Sequence, residues 1–165
     1  MKVFYILYFT IISFVYGHSS PFIKRQAVAS QQCASRDQTV SICSPAPGDV
    51  WYNGTYQQLT WKYNNPVFNN FTTLSFYILQ LHGDQYKEIK KINVEHALGV
   101  QVVQIDDSWY PSLLPPNSPN VSLTVHAYLV GDSTDVFQEL GNSLSFFPRP
   151  TQFTLIGIYS LIELH

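Results

Sequence analysis

Asp106 and Asp107 are adjacent carboxylates, a residue type that glycoside hydrolysis uses in pairs. Such a pair must face one gap, and neighbours on an extended strand point to opposite faces. The spacing therefore predicts a turn or a strand end. Asp132 and Asp135 bracket the polar run GDSTD. Calcium asks for about six to eight oxygen ligands, so a capped turn suits this run better. Histidine offers the sharpest chemistry. If a leader is removed after Gly17, His18 presents its amine and imidazole together to a copper ion. That ligand pair would suit a copper-dependent polysaccharide oxidase. It needs a second imidazole, from His82, His96 or His126. A cut after Arg25 would remove His18 altogether. No Gly-x-Ser-x-Gly elbow and no His-Glu-x-x-His run occurs. The chain reads as a non-enzyme, with no catalytic residue, metal site or cofactor.

The two cysteines, Cys33 and Cys43, bear on compartment. Lys2 precedes the uncharged apolar run 3–15 and small Gly17, which predicts a secretory signal peptide over 1–17. The run is too short to span a bilayer. In that oxidising route the cysteines predict one disulfide, tying an N-terminal arm to the first strand. The short loop it closes contributes about 2–3 kcal/mol in the chain-entropy model. Lys24 and Arg25 form a dibasic pair in IKRQ. They read either as the end of a propeptide over 18–25 or as two surface cations. Sequons at Asn53, Asn70 and Asn120 agree with secretion and place those asparagines on the surface. Only 12% of residues are charged and the formal net charge is −2, which gives no electrostatic reason to bind nucleic acid or an acidic membrane.

The positioning elements read as strands. Residues 26–39 are a flexible polar arm. Beyond them, short period-two or apolar runs alternate with turn residues. VSIC (40–43) is the first strand, stopped by Ser44-Pro45. YQQLTWKY (56–63) places Tyr56, Gln58, Thr60 and Lys62 on one face and Gln57, Leu59, Trp61 and Tyr63 on the other. TTLSFYILQLH (72–82) is a buried strand, followed by a tight turn at Gly83. YKEIKKINVEHA (86–97) is a charged edge strand in preference to a short helix. GVQVVQIDDSWY (99–110) alternates, and PSLLPPNSPN (111–120) is a loop. VSLTVHAYLVG (121–131) sends Val121, Leu123, Val125, Ala127 and Leu129 one way and Ser122, Thr124, His126 and Tyr128 the other. LGNSLSFFP (140–148) is the final strand, and no long helix is expected. About seven strands at this spacing predict an all-β sandwich of immunoglobulin or fibronectin III type over 40–148. The apolar run 149–165 is interrupted by Glu163 and fits a lipid-anchor signal poorly. It reads as a last strand, a disordered end or a remnant of something longer.

Aromatics make up 15% of the chain. Tyr52, Tyr56, Tyr63, Trp109 and Tyr110 would stack on sugar rings if exposed together, with Tyr52, Tyr56 and Tyr110 the candidate glycan contacts. Trp61 shares a face with Leu59 and belongs to a core.

The run ICSPAPGDVWYNGTYQQLTW resembles the opening of the fungal cell-wall-synthesis N-terminal domain of the Ser/Thr-rich GPI-anchored membrane protein family. The matching positions are Ile42, Ser44, Pro45, Gly48, Trp51, Gly54, Thr60 and Trp61. DSWYPSLLPP, with Trp109, and YLV (128–130) are similar to later segments of that family. The resemblance spans about Val40 to Phe147. It implies an immunoglobulin-like module, no established catalytic residues, and a place in assembling wall β-1,6-glucan. The chain departs from the family in lacking a Ser/Thr-rich stalk and a convincing anchor signal, which favours a released or loosely held protein. The expectation is a secreted module whose partner is a cell-wall glycan or wall glycoprotein. The alternative is an effector or protein-interaction module.

Overall fold

The computed structural model describes residues 21–37, 39–110 and 120–158. The expected signal peptide, Gly17, His18 and most of the proline-rich loop lie outside the described residues. A helix α1 (Pro21–Ala34) precedes strands β1 (Ile42–Ser44), β2 (Val50–Tyr52), β3 (Tyr56–Trp61), β4 (Thr73–His82), β5 (Gln85–Glu95), β6 (Val100–Gln104) and β7 (Asn120–Gly131). Helix α2 (Val136–Gly141) and strand β8 (Thr151–Ile158) follow. Single 3-10 turns at Pro66–Phe68, His96–Leu98 and Asp107–Trp109 join strands.

The strands form two sheets, ordered β1-β3-β6 and β2-β8-β7-β4-β5. β2 runs parallel to β8, while the other pairs are antiparallel. This is an immunoglobulin-like arrangement: β1, β3 and β6 make one sheet, and consecutive β4 and β5 join β7 and β8 in the other. The chain leaves the first sheet after β1 and adds β2 to the edge of the second.

Period two decides what is buried. Leu59 and Trp61 from β3 meet Phe76 and Ile78 from β4, Val125 and Ala127 from β7, and Phe153 and Leu155 from β8. The two faces expected of 121–131 are the two faces observed. The Trp61 indole N–H donates to the His96 carbonyl at 3.0 Å, so its polar edge is satisfied inside the core. The β4–β5 hairpin turns on Gly83 at φ 60°, and β5 is an edge strand carrying Lys87, Lys90 and Lys91.

Four expectations need correction. The arm 26–39 is largely helical, as α1. Its polar sequence lacks an apolar stripe, and the helix is held by packing on β3 and β6 and by the Cys33–Cys43 disulfide. The first strand starts at Ile42, not Val40. The strand expected at 140–148 is absent: Asp135 accepts the N–H groups of Phe137 and Gln138 at 3.0 and 3.2 Å and starts α2 instead. Leu144 and Phe146 there are 82% and 88% exposed. Finally, the sandwich does not end at Pro148. Of the three readings of the tail, Thr151–Ile158 follows the strand reading, as β8 between β2 and β7.

A smaller core lies on the outward side of the five-stranded sheet. Val136 of α2 covers Tyr77, Leu79, Tyr128 and Val130, with Tyr86, Leu140 and Phe147 packed around them. On the opposite flank of the molecule, α1 covers the three-stranded sheet. Thr60 and Lys62 are buried there, and Lys62 Nζ donates to the Arg36 carbonyl.

Candidate functional site

The β2–β3 turn sorts its aromatics by burial. Asn53 and Gly54 are its tip, and Gly54 takes φ 78°, a conformation that side-chain-bearing residues rarely adopt. Before the turn, Trp51 points inward, edge-on to Phe153 at 5.0 Å and to Trp109 at 6.4 Å. These rings close one end of the core, with Tyr110 beside them at 6% exposure. Tyr110 is therefore not a glycan contact, because packing at the end of the sandwich has already used its ring. Tyr52 and Tyr56 are 43% and 69% exposed, but they lie on different sheets. The expected platform of three tyrosines does not form.

A different surface assembles around Tyr52. Strand register on the outward face of the five-stranded sheet sets Tyr52, Ile156 and Ser122 side by side. The next row is Val50, Thr154 and Thr124. The third is Gln152, His126, Leu79 and Glu88. Val50, Tyr52, Ser122, Thr124 and Gln152 are exposed, and Thr154, Ile156 and His126 are half-buried. Across β2, β8 and β7 these rows present rings, aliphatic groups, hydroxyls and one amide, with no Asp, Glu, Lys or Arg. α2 stops short of them and covers the β4–β7 end instead.

His126 sits at the rim between the open rows and the covered end. Its ring meets Tyr86 edge-on at 5.3 Å, and its buried Nδ1 has no hydrogen-bond partner. Burial pushes its pKa below the ordinary histidine value. Burial thus favours the neutral imidazole and works against a charge on this face.

The other singled-out residues are placed as follows. Asp106 accepts the Ser108 N–H at 2.9 Å and its hydroxyl, caps a 3-10 turn, and is held below the usual carboxylate range by that hydroxyl. Asp107 accepts from Asn53 Nδ2 at 2.8 Å, so the two carboxylates serve separate turns. Asn70 and Asn120 are exposed and Asn53 is half-buried. Lys24 and Arg25 lie within α1. Ser44 ends β1 and is joined to Pro45 by a cis peptide, and Gly48 takes φ 83°. His96 Nδ1 lies 3.0 Å from the Phe71 carbonyl, and His82 Nε2 lies 3.0 Å from Gln80 Oε1. No group of three or more His, Cys, Asp or Glu able to hold a metal occurs among the described residues. His18, on which the copper brace depends, lies outside the described residues.

Sequence reasoning picked Tyr52 out and placed Ser122, Thr124 and His126 on one face. It missed Val50, Thr154 and Ile156 as their neighbours. The alternation of QFTLIGI was a readable signal for the last two. The parallel β2–β8 pairing that completes the surface was not readable.

Compared with known proteins, the chain matches no family model and no curated protein. Among solved structures it is similar to fibronectin(III)-like modules of CbhA from Clostridium thermocellum. That similarity has 11% identity and a TM-score of 0.30, over 73% of this chain and 99% of the other. The class of fold, an immunoglobulin-like β-sandwich, rests on this chain's own strand order. No helix among the described residues is long and apolar enough to cross a membrane.

Proposed function

We propose that this chain is a secreted, non-enzymatic module that binds neutral cell-wall glycan on the outward face of its five-stranded sheet. The uncharged face around Tyr52 carries the reading. A neutral sugar presents aliphatic C–H faces and hydroxyls, and it is met by a tyrosine ring, two aliphatic side chains and the hydroxyls of Thr154, Thr124 and Ser122. The resemblance of residues 42–61 to the fungal wall-synthesis domain supports wall glucan as the polymer and the wall or medium as the location. Retention on insoluble β-glucan and chitin tests the proposal. Wild-type protein is retained on at least one of them, and Tyr52→Ala and Thr154→Ala release it. Absence of retention on both, or retention indifferent to these substitutions, overturns it. Fractionating a tagged protein between medium, alkali-resistant wall and membrane tests the location.

One observation favours a second reading, a protein-interaction module. Strand β5 runs for 11 residues at the sheet edge, near the exposed side chains of Leu81 and Phe137. An open edge can pair with a partner's strand. Wholly soluble protein that ignores glycans but captures a partner sensitive to a proline in β5 would favour this reading.

A further inference from the structure

Away from the outward face, a cleft of about 420 Å³ opens between the sheets where β1 leaves and β8 enters. Arg36, from the α1–β1 link, and Arg149, just before β8, both line it. They are two of only three arginines in the chain. Thr39, Ser41 and Thr151 add hydroxyls, and Leu129 adds an apolar wall. No carboxylate lines this cleft among the described residues. Of the neighbouring carboxylates, Asp49 Oδ2 accepts the Ala46 N–H at 2.7 Å and Asp37 Oδ1 accepts the Thr39 N–H at 3.0 Å.

The wall behind the cleft adds to its polarity. Lys62 Nζ donates to the Arg36 carbonyl, and the Lys62 N–H donates to the Ser41 carbonyl at 2.9 Å. Ser41 is itself buried, and its hydroxyl accepts from Asn65 Nδ2 at 2.8 Å, which leaves the Ser41 O–H free to donate. A protein of net charge −2 thus places two arginines and three hydroxyl-bearing residues around one cleft, with the buried Lys62 behind Arg36.

We infer that this cleft binds a sugar-sized molecule bearing an oxyanion, either a phosphate ester or a carboxylate. Guanidinium recognises both groups by paired N–H donors, which makes Arg suited to this task. The volume falls in the range of small-ligand sites, about 300–1,000 Å³. The site is separate from the neutral-glycan face, so either could fail without the other.

The test uses isotope-labelled protein titrated with glucose 6-phosphate, glucuronate, inorganic phosphate and glucose, followed by amide shifts. Saturable shifts around Ser41 and Thr151 are expected with at least one sugar anion and not with glucose. Response to glucose 6-phosphate alone assigns a phosphate site, and response to glucuronate alone assigns a carboxylate site. Arg36→Gln and Arg149→Gln should each weaken binding about tenfold or more, as expected for losing a charge-assisted pair. Near-wild-type amide spectra of the variants would confirm that they fold. If a variant does not fold, competition of wild-type binding by sodium sulfate replaces it, with loss of the sugar-anion shifts expected. Shifts equal for glucose and its phosphate, no saturable shift with either sugar anion, or binding unchanged in folded variants would overturn the inference.

Discussion

On the outward face of the three-stranded sheet, Thr60 and Lys62 are buried beneath α1, while on the outward face of the five-stranded sheet Val50 and Tyr52 stand open. Side-chain polarity alone would predict the reverse. The covered face is polar but supplied with partners: Arg36 gives Lys62 Nζ a carbonyl, and Ser41 gives Asn65 an acceptor. Burying polar groups is tolerable when each finds such a bond. A disulfide then keeps the cover in place. The open face is more apolar, yet α2 is too short to reach it from the β4–β7 end. Coverage here follows where helices are tethered, and the uncharged face left untethered stays open to solvent.

The largest effect expected comes from removing the strand that the two ends of that sheet share. Deleting residues 151–165 takes out β8, buries nothing in its place, and exposes Phe76, Val125 and Trp51. The deletion should abolish cooperative unfolding, because it removes an internal strand and two large core side chains, each about 2–5 kcal/mol when cut to Ala. A folded, cooperatively melting fragment ending at Pro150 would show that the five-stranded sheet does not need β8. The β2 half of the open face would then have no structural basis.

Opening the disulfide sharpens the other half of the comparison. Cys33 and Cys43 are separated by 10 positions, with Cα atoms 5.8 Å apart. Replacing both with Ala should cost about 2–3 kcal/mol by loss of loop constraint. Denaturant melts would measure it. The sharper readout is hydrogen exchange: amides of α1 and of Thr60 and Lys62 should lose protection, while those of β4 and β7 keep theirs. Equal loss in both sheets would mean that the disulfide stabilises the whole sandwich and not the covered face.

Much of the fold was legible, for physical reasons that also explain the misses. Residues 121–131 alternate so regularly that both faces of β7 could be assigned, because one side packs on the core along its length. The lysines of β5 marked an edge. α1 was illegible because its stability comes from contacts with β3 and from Cys33, not from an apolar stripe. α2 did leave a mark: Asp135 followed three residues later by Gln138 resembles a capping box. The Leu-x-Phe alternation after it won the reading instead, yet Leu144 and Phe146 remain in solvent. The candidate site was legible only in pieces. Tyr52 and Ser122 share a row only through β8, and nothing local in the sequence announces a parallel partner so distant along the chain.

His126, at the boundary between open and covered face, gives a smaller and pH-dependent effect. Its folded pKa is depressed by burial, so the unfolded chain binds a proton more readily than the folded one. Its contribution to stability is therefore fully present above the ordinary histidine value of about 6.5 and is lost as pH falls through it toward the folded value. Urea melts between pH 7.5 and pH 5, taken as roughly bracketing that value, should show a decline that His126→Gln flattens. A parallel decline in the variant would assign the pH dependence to other groups and leave the imidazole charged or neutral without consequence.

Tyr52→Ala should have the smallest effect on stability and the most specific effect on function. Its ring is about half exposed and stands outside both hydrophobic cores, so its loss should change stability by no more than about 0.5 kcal/mol. The matched change across the comparison is Thr60→Ala on the covered face, buried beside Lys62. If the open face is a binding surface, Tyr52→Ala lowers glycan retention with an unchanged melt, and Thr60→Ala leaves retention intact whatever it does to the melt. If both variants lower retention in proportion to stability, binding depends on the integrity of the sandwich and not on this face. A Tyr52→Phe variant separates ring from hydroxyl: stacking survives it, whereas a hydrogen bond from the phenol does not.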